Sequence, residues 1–402
     1  MKKKALSLLL AGLFVLSCCG CGSAFEAEYH YSEPFVDSVF PRNGNAVEIR
    51  NYNMLKTAII SLISNHEEKG ELRFSNYNGS VLDDLAKACL EIKTENPLGA
   101  YAVETLSHDT SRIVSYYTAS IHIEYRKTAA QIQSIIGVSG GAELQNVIRE
   151  KISTYEKEIV TRIYSPQVDA LFVADTVREA YFSDPVSIVL EPAAEIVSYP
   201  AGGINHIYDI SIQYGLNKVA LQDMSARLSA AVEALTQQLT ATDEAHLALD
   251  CANSVYYQLS GENAAYPSTA YGALVEHSAD SKGMALAFQA LCNAVALECR
   301  VVQGSIGSMG TEEHYWNIIR LGEDYYHVDI SQFVFDRSYA FLMSDEMLWG
   351  TYIWDVENYP ACAGTMRYSD LIPTETVDDE ASPEPESGEL PEQDAEKIEN
   401  NT

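Results

Sequence analysis

Apolar residues recur along this chain at two spacings, one helical and one of strands. Leu55, Ala58, Ile59, Leu62 and Ile63 fall at i, i+3, i+4, i+7 and i+8, which predicts one face of an amphipathic helix in a helical stretch that opens near Val47. A strand is predicted over 71–77, where Leu72 and Phe74 alternate with polar neighbours, and a second helix over 81–95. Asn96-Pro97-Leu98-Gly99 breaks that helix. Two strands follow at 100–106 and 113–125, and a helix begins near Thr128. The same order then returns 89 residues later: Leu55, Ala58, Ile59 and Ile63 land on Leu144, Val147, Ile148 and Ile152. Arg73 lands on Arg162, and Ser-Ile-His-Ile-Glu-Tyr (120–125) lands on Asp-Ile-Ser-Ile-Gln-Tyr (209–214). The middle needs small insertions or deletions, since Pro97 matches Pro185 one residue off. The pattern predicts a duplicated α+β unit, at 46–138 and 139–240. Two copies are fewer than the three a solenoid needs.

The last helix of the second copy carries Leu221, Met224, Leu228, Ala231 and Leu235 as a core stripe. Thr242 is placed to cap the next helix, 243–258. Beyond a loop with Gly261 and Pro267, a helix is predicted over 282–297, with Met284, Ala287, Phe288, Leu291 and Val295 on its buried side. Strands follow at 298–304, 315–321 and 324–330, so the chain reads as α+β throughout.

Three residues in this last part carry chemistry. Ser281 precedes an apolar helix, His314 opens one strand and Asp329 closes the next. A nucleophile at a helix start, with a base and an orienting carboxylate on adjacent strands, is the plan of a Cys-His-Asp acyl-transfer site. The segment 243–362 resembles the transglutaminase-like core of the papain-like superfamily. The matching pieces are Thr-Ala-Tyr-Gly-Ala-Leu-Val (269–275), Ala-Asp-Ser-Lys-Gly-Met-Ala-Leu-Ala-Phe (279–288), Glu-Cys-Arg-Val-Val-Gln-Gly (298–304), His-Tyr-Trp-Asn-Ile-Ile (314–319) and Tyr-His-Val-Asp-Ile-Ser (326–331). The resemblance implies a papain-like domain over 241–372, with His314 as base, Asp329 as orienting carboxylate and Trp316 as a wall of the site. It also puts Ser281 where the family has its nucleophilic Cys. A thiol there ionises with the help of a helix N-terminus and a neighbouring His. A hydroxyl has no such accessible anion and must lose its proton during attack.

Asp280-Ser281 is also a good helix N-cap without any catalysis. The reading is therefore a domain that binds peptide or cell-wall material with little or no cysteine-type catalysis. Two alternatives stand beside it. One is a serine-dependent amide hydrolase or acyl transferase using Ser281, His314 and Asp329. The other is an adhesion or spacer protein whose function lies in 46–240. No cofactor and no metal are expected, because no Cys or His has metal-ligand spacing. His327 reads as a surface residue. Cys89, Cys251, Cys292, Cys299 and Cys362 are open to disulfide or thiol.

The chain's start sets the compartment. Lys2, Lys3 and Lys4 precede an apolar run, 5–16, which reads as a signal peptide over 1–17. Val15-Leu16-Ser17-Cys18 resembles a bacterial lipobox. That implies a lipid on Cys18, a membrane partner through that lipid, and a place on the extracellular face of a bacterial membrane. A polar tether spans 18–45, and an acidic, Pro-containing tail spans 373–402, a composition that cannot bury enough apolar area to order. The net charge of −31 argues against nucleic acid as a partner.

Overall fold

A computed structural model describes residues 46–261, 263–307 and 312–372. The expectations for the signal peptide, the tether with Cys18 and the acidic tail lie outside the described residues. No helix among the described residues is long and apolar enough to cross a membrane.

The first unit runs β1 (Val47–Glu48), α1 (Tyr52–Ser64), β2 (Lys69–Phe74), α2 (Val81–Thr94), α3 (Pro97–Ala102), β3 (Val103–Ile113), β4 (Tyr116–Tyr125) and α4 (Ala129–Gln133). Asn51 caps α1 by accepting Met54 N–H at 2.9 Å, and the predicted stripe of Leu55, Ala58, Ile59, Leu62 and Ile63 is buried. The predicted break at Pro97 is also a start. Asn96 accepts Gly99 N–H at 3.0 Å, and Pro97 sits in the first turn of α3, where a missing N–H costs nothing. Residues 100–102 are therefore helix, and the strand expected from Ala100 begins at Val103. Gly99 is required there, because a Cβ would lie 2.0 Å from the Ile92 carbonyl oxygen. The long strand expected over 113–125 is the second arm of a β3–β4 hairpin.

The second unit runs β5 (Ile136–Val138), α5 (Gly141–Ser153), β6 (Glu158–Tyr164), α6 (Ala170–Ser183), β7 (Ala193–Tyr199), β8 (Asn205–Gln213) and α7 (Lys218–Thr236). Its sheet order, β5-β6-β8-β7, repeats the β1-β2-β4-β3 order of the first, with the first pair parallel and the others antiparallel in both. Helices α1 and α5, and α2 and α6, begin and end 89 residues apart, whereas Leu106 and Ala194, which pair with Ile123 and Ile212 at equivalent places, are one residue off that spacing, as are Pro97 and Pro185. Strand β5 pairs with β6, so the second sheet starts at Ile136 rather than after 138. The outer face of this sheet buries Val160 and Ile207 in the first unit's core, and Lys127 reaches across to Asp209 at 2.6 Å. The positions 89 residues earlier are Glu71 and Thr118, which are polar and not buried.

The remaining part holds α8 (Glu244–Gln258), α9 (Ser281–Ala294), β9 (Cys299–Ile306), β10 (Glu312–Leu321), β11 (Asp324–Val328), β12 (Phe341–Met343), α10 (Asp345–Leu348) and β13 (Tyr352–Trp354). Its five-stranded sheet is antiparallel in the order β12-β11-β10-β9-β13. Asp243, not Thr242, caps α8, accepting His246 N–H at 3.0 Å. Helix α9 lies on β9 and β10 with Leu286, Phe288 and Leu291 buried, and it ends at Ala294, three residues before the expected 297. The apolar core runs unbroken from α5–α7 into α8 and α9. The five described cysteines, Cys89, Cys251, Cys292, Cys299 and Cys362, are free thiols and all are buried.

Candidate functional site

The sheet and α9 bring Ser281, His314, Asp329 and Trp316 into one region. His314 lies on β10 opposite Gly304 of β9, and Asp329 follows the last residue of β11. His314 Nε2 meets Asp329 Oδ2 at 2.7 Å, and both residues are buried. Asp329 has further donors. Tyr352 OH donates to Oδ2 at 2.7 Å; Ser331 donates its hydroxyl to Oδ1 at 2.6 Å and its N–H at 3.1 Å. The buried Asp329 side chain is thus hydrogen-bonded through both of its oxygens. Burial, then the Asp329 carboxylate, hold the Tyr352 hydroxyl well above its ordinary range, so it remains a donor. The other ring nitrogen of His314, Nδ1, makes no hydrogen bond among the described residues.

Ser281 is placed differently from its expected role as a cap. The N-cap of α9 is Asp280, whose Oδ1 accepts Gly283 N–H at 3.0 Å, while Oδ2 accepts the Ser268 hydroxyl. Ser281 is the first helical residue, and its Oγ accepts Tyr315 N–H at 3.3 Å. The β10–β11 ladder ends at Asn317 and Val328, so Tyr315 N–H lies beyond it. No hydrogen bond joins Ser281 Oγ to the His314 ring among the described residues.

The second unit stands beside Ser281. Phe182 of α6 stacks on Tyr315 at 6.2 Å between ring centroids. Lys282 Nζ lies over Tyr181, Phe182 and Tyr315 at 5.6, 5.4 and 5.2 Å and pairs with Glu191. A cleft of about 880 Å³ opens between α6 and β9, lined by Arg178, Phe182, Gln289, Asn293, Gln303 and Tyr359 among others. Ser281, His314 and Asp329 are not among its lining residues.

Trp316 is buried and its ring lies 6.1 Å from that of His314, nearly parallel at 26°. Its Nε1–H donates to His327 Nδ1 at 3.0 Å, and His327 Nε2 meets Asp345 Oδ1 at 2.8 Å. His327 is therefore a fully buried residue, not a surface one. The strand β11 is covered on both faces, so a polar residue on it does not mark a solvated side. His327, Asp345 and Cys362 also place donor atoms within 4.8 Å of one another. They do not fit a metal. A ligating histidine gives its other ring N–H to an acceptor, whereas Nδ1 here receives the indole proton, and an indole N–H cannot accept. Burial, then Asp345, keep the Cys362 thiol well above its ordinary range.

Tyr352 and Ser331 were not legible as site residues. Ser331 stands two residues after Asp329, a spacing at which a side chain folds back on a local carboxylate, and this was the available signal. Tyr352 lies on the far edge strand, and nothing local marks it.

No family model matches the chain, and no curated protein matches it. Among solved structures, one described as the crystal structure of a TGase is similar at 10% identity and a TM-score of 0.25, over 55% of this chain and 66% of that one.

Proposed function

We propose that this is a surface protein, held by lipid on Cys18, whose C-terminal transglutaminase-like part binds peptide or cell-wall material without turning it over. One observation supports the lack of turnover: Ser281 Oγ serves as the acceptor for Tyr315 N–H and, among the described residues, makes no hydrogen bond to His314. A serine nucleophile needs its base within hydrogen-bond reach, since its proton must leave as it attacks. His314 and Asp329 are then an oriented pair that shapes and polarises the bound region. The test is exposure of the folded protein to an acyl-directed serine reagent, a fluorophosphonate, with peptide mapping by mass spectrometry. No adduct on Ser281 is the expected result; an adduct lost in Ser281→Ala overturns the reading.

A serine-dependent amide hydrolase or acyl transferase is the second reading, favoured by the unengaged Nδ1 of His314 beside a fully satisfied Asp329. It requires turnover of wall-peptide amides by the parent and its loss in Ser281→Ala. Equal behaviour of the two proteins on a panel of such amides ends it.

A further inference from the structure

Trp316 ties the His314 site to a second pair behind it. An indole N–H only donates, so His327 Nδ1 must be a bare acceptor, and the ring's single proton sits on Nε2, facing Asp345. One neutral tautomer satisfies both neighbours. A second proton puts an N–H on Nδ1, head-on to the indole N–H.

The groups facing His327 are few. Helix α10 supplies Asp345, and the segment before Gly364 supplies the un-ionised Cys362 thiol. Strand β12 supplies Met343, β13 the Trp354 ring at 5.1 Å, and β10 supplies Trp316 and Ile318. Among the described residues, Asp345 alone brings a charge to His327. Its side chain is 36% exposed while that of His327 is 0%, which gives a proton a route in from solvent. Burial opposes the charged ring, Asp345 supports it, and burial wins, so His327 is held below its ordinary value.

We propose that His327 is a proton-sensitive positioning residue: neutral, it pins Trp316 against the ring of His314; protonated, it turns its acceptor into a donor and releases the indole. Trp316 also lies 5.0 Å from Tyr352, the donor to Asp329, so its release loosens both ends of the His314–Asp329 pair. The inference stands apart from whether the site binds or catalyses, because its readout is the indole.

The chain has three tryptophans, so Trp349→Phe with Trp354→Phe leaves Trp316 as the lone reporter in the full chain. Its emission is followed from pH 8 to pH 4, with far-UV circular dichroism as the check on folding. The expected result is a one-proton red shift with unchanged far-UV signal, absent in His327→Gln, whose amide keeps an acceptor and a donor but does not titrate. Flat emission, the same transition in His327→Gln, or a transition that coincides with loss of far-UV signal overturns the proposal. Should His327→Gln fail to fold, ring ¹⁵N resonance on the parent decides: the Nε2–H tautomer at pH 8 supports it, and the Nδ1–H tautomer overturns it.

Discussion

His314 and His327 sit on neighbouring strands and meet a carboxylate through the same ring atom, at 2.7 Å to Asp329 and 2.8 Å to Asp345. Their surroundings are opposite. Asp329 is buried and takes donors from Tyr352 and Ser331 as well; Asp345 is partly open to solvent and also accepts Cys362 N–H at 3.0 Å. The Nδ1 of His314 has no hydrogen-bond partner among the described residues, whereas the Nδ1 of His327 accepts from Trp316. A His–carboxylate pair thus has no chemistry of its own. What its second nitrogen meets decides whether the ring is held at one end or at both. Trp316 connects the two, donating to one ring and stacking on the other.

The largest effect comes from removing that connection. Trp316→Ala is expected to cost about 3–5 kcal/mol in urea unfolding, the range for deleting a buried aromatic. A loss below about 1 kcal/mol, less than a typical core deletion, would mean that the two pairs are independent. Asp345→Ala comes next, at about 1–3 kcal/mol, because the His327 Nε2–H and the Cys362 N–H lose their acceptor inside the protein. No change in the urea midpoint would show that water replaces the carboxylate. The second pair also sets a pH dependence. His327 is held below its ordinary value near 6.5 by burial, so under about pH 6.5 the unfolded chain binds more protons than the folded one. Its contribution is full above that pH and falls as pH drops through 6.5 toward the folded value. His327→Gln should flatten that limb of the stability–pH curve, and an unchanged slope would remove His327 as its source.

The sequence was most readable where one face of an element meets solvent. The Leu55–Ile63 stripe and its echo at Leu144–Ile152 announced two helices, because each has a polar back. The 89-residue spacing was visible at the ends of the unit and lost in the middle, since Asn96-Pro97 both ends α2 and opens α3. In the second unit the matching residues after α6 do not form that helix. Tyr326, His327 and Val328 are all buried, so β11 has no alternation, and His327 looked like a residue of a wet face. That Ser281, His314 and Asp329 fall in one region was legible because their order and elements match a known plan. Which atom each one touches was not. Asp280 and Ser281 are equivalent as cap candidates in one dimension, and the end of the β10–β11 ladder, which leaves Tyr315 N–H for Ser281, exists only in the sheet.

The smallest expected effect probes that last contact. Ser281→Ala removes the acceptor of Tyr315 N–H, a single neutral hydrogen bond at a half-buried position, with an expected cost of about 0.5–1.5 kcal/mol. His314 and Asp329 should keep their bond, since neither depends on Ser281 Oγ. Ser281→Cys sharpens the case, because a thiol is a weak acceptor and should lose similar stability while gaining reactivity. Set at the start of α9 in the region of His314, that thiol is expected to be alkylated by iodoacetamide in the folded protein, where the five described native thiols are buried. Labelling that persists as pH falls below the ordinary thiol range near 8.5 would show that His314 and the helix start still lower a thiol's pKa. The chain would then lack only the sulfur. If Ser281→Cys is labelled no faster than an ordinary thiol, the geometry around His314 has itself departed from that of a base, and the comparison between the two histidines narrows to one of degree.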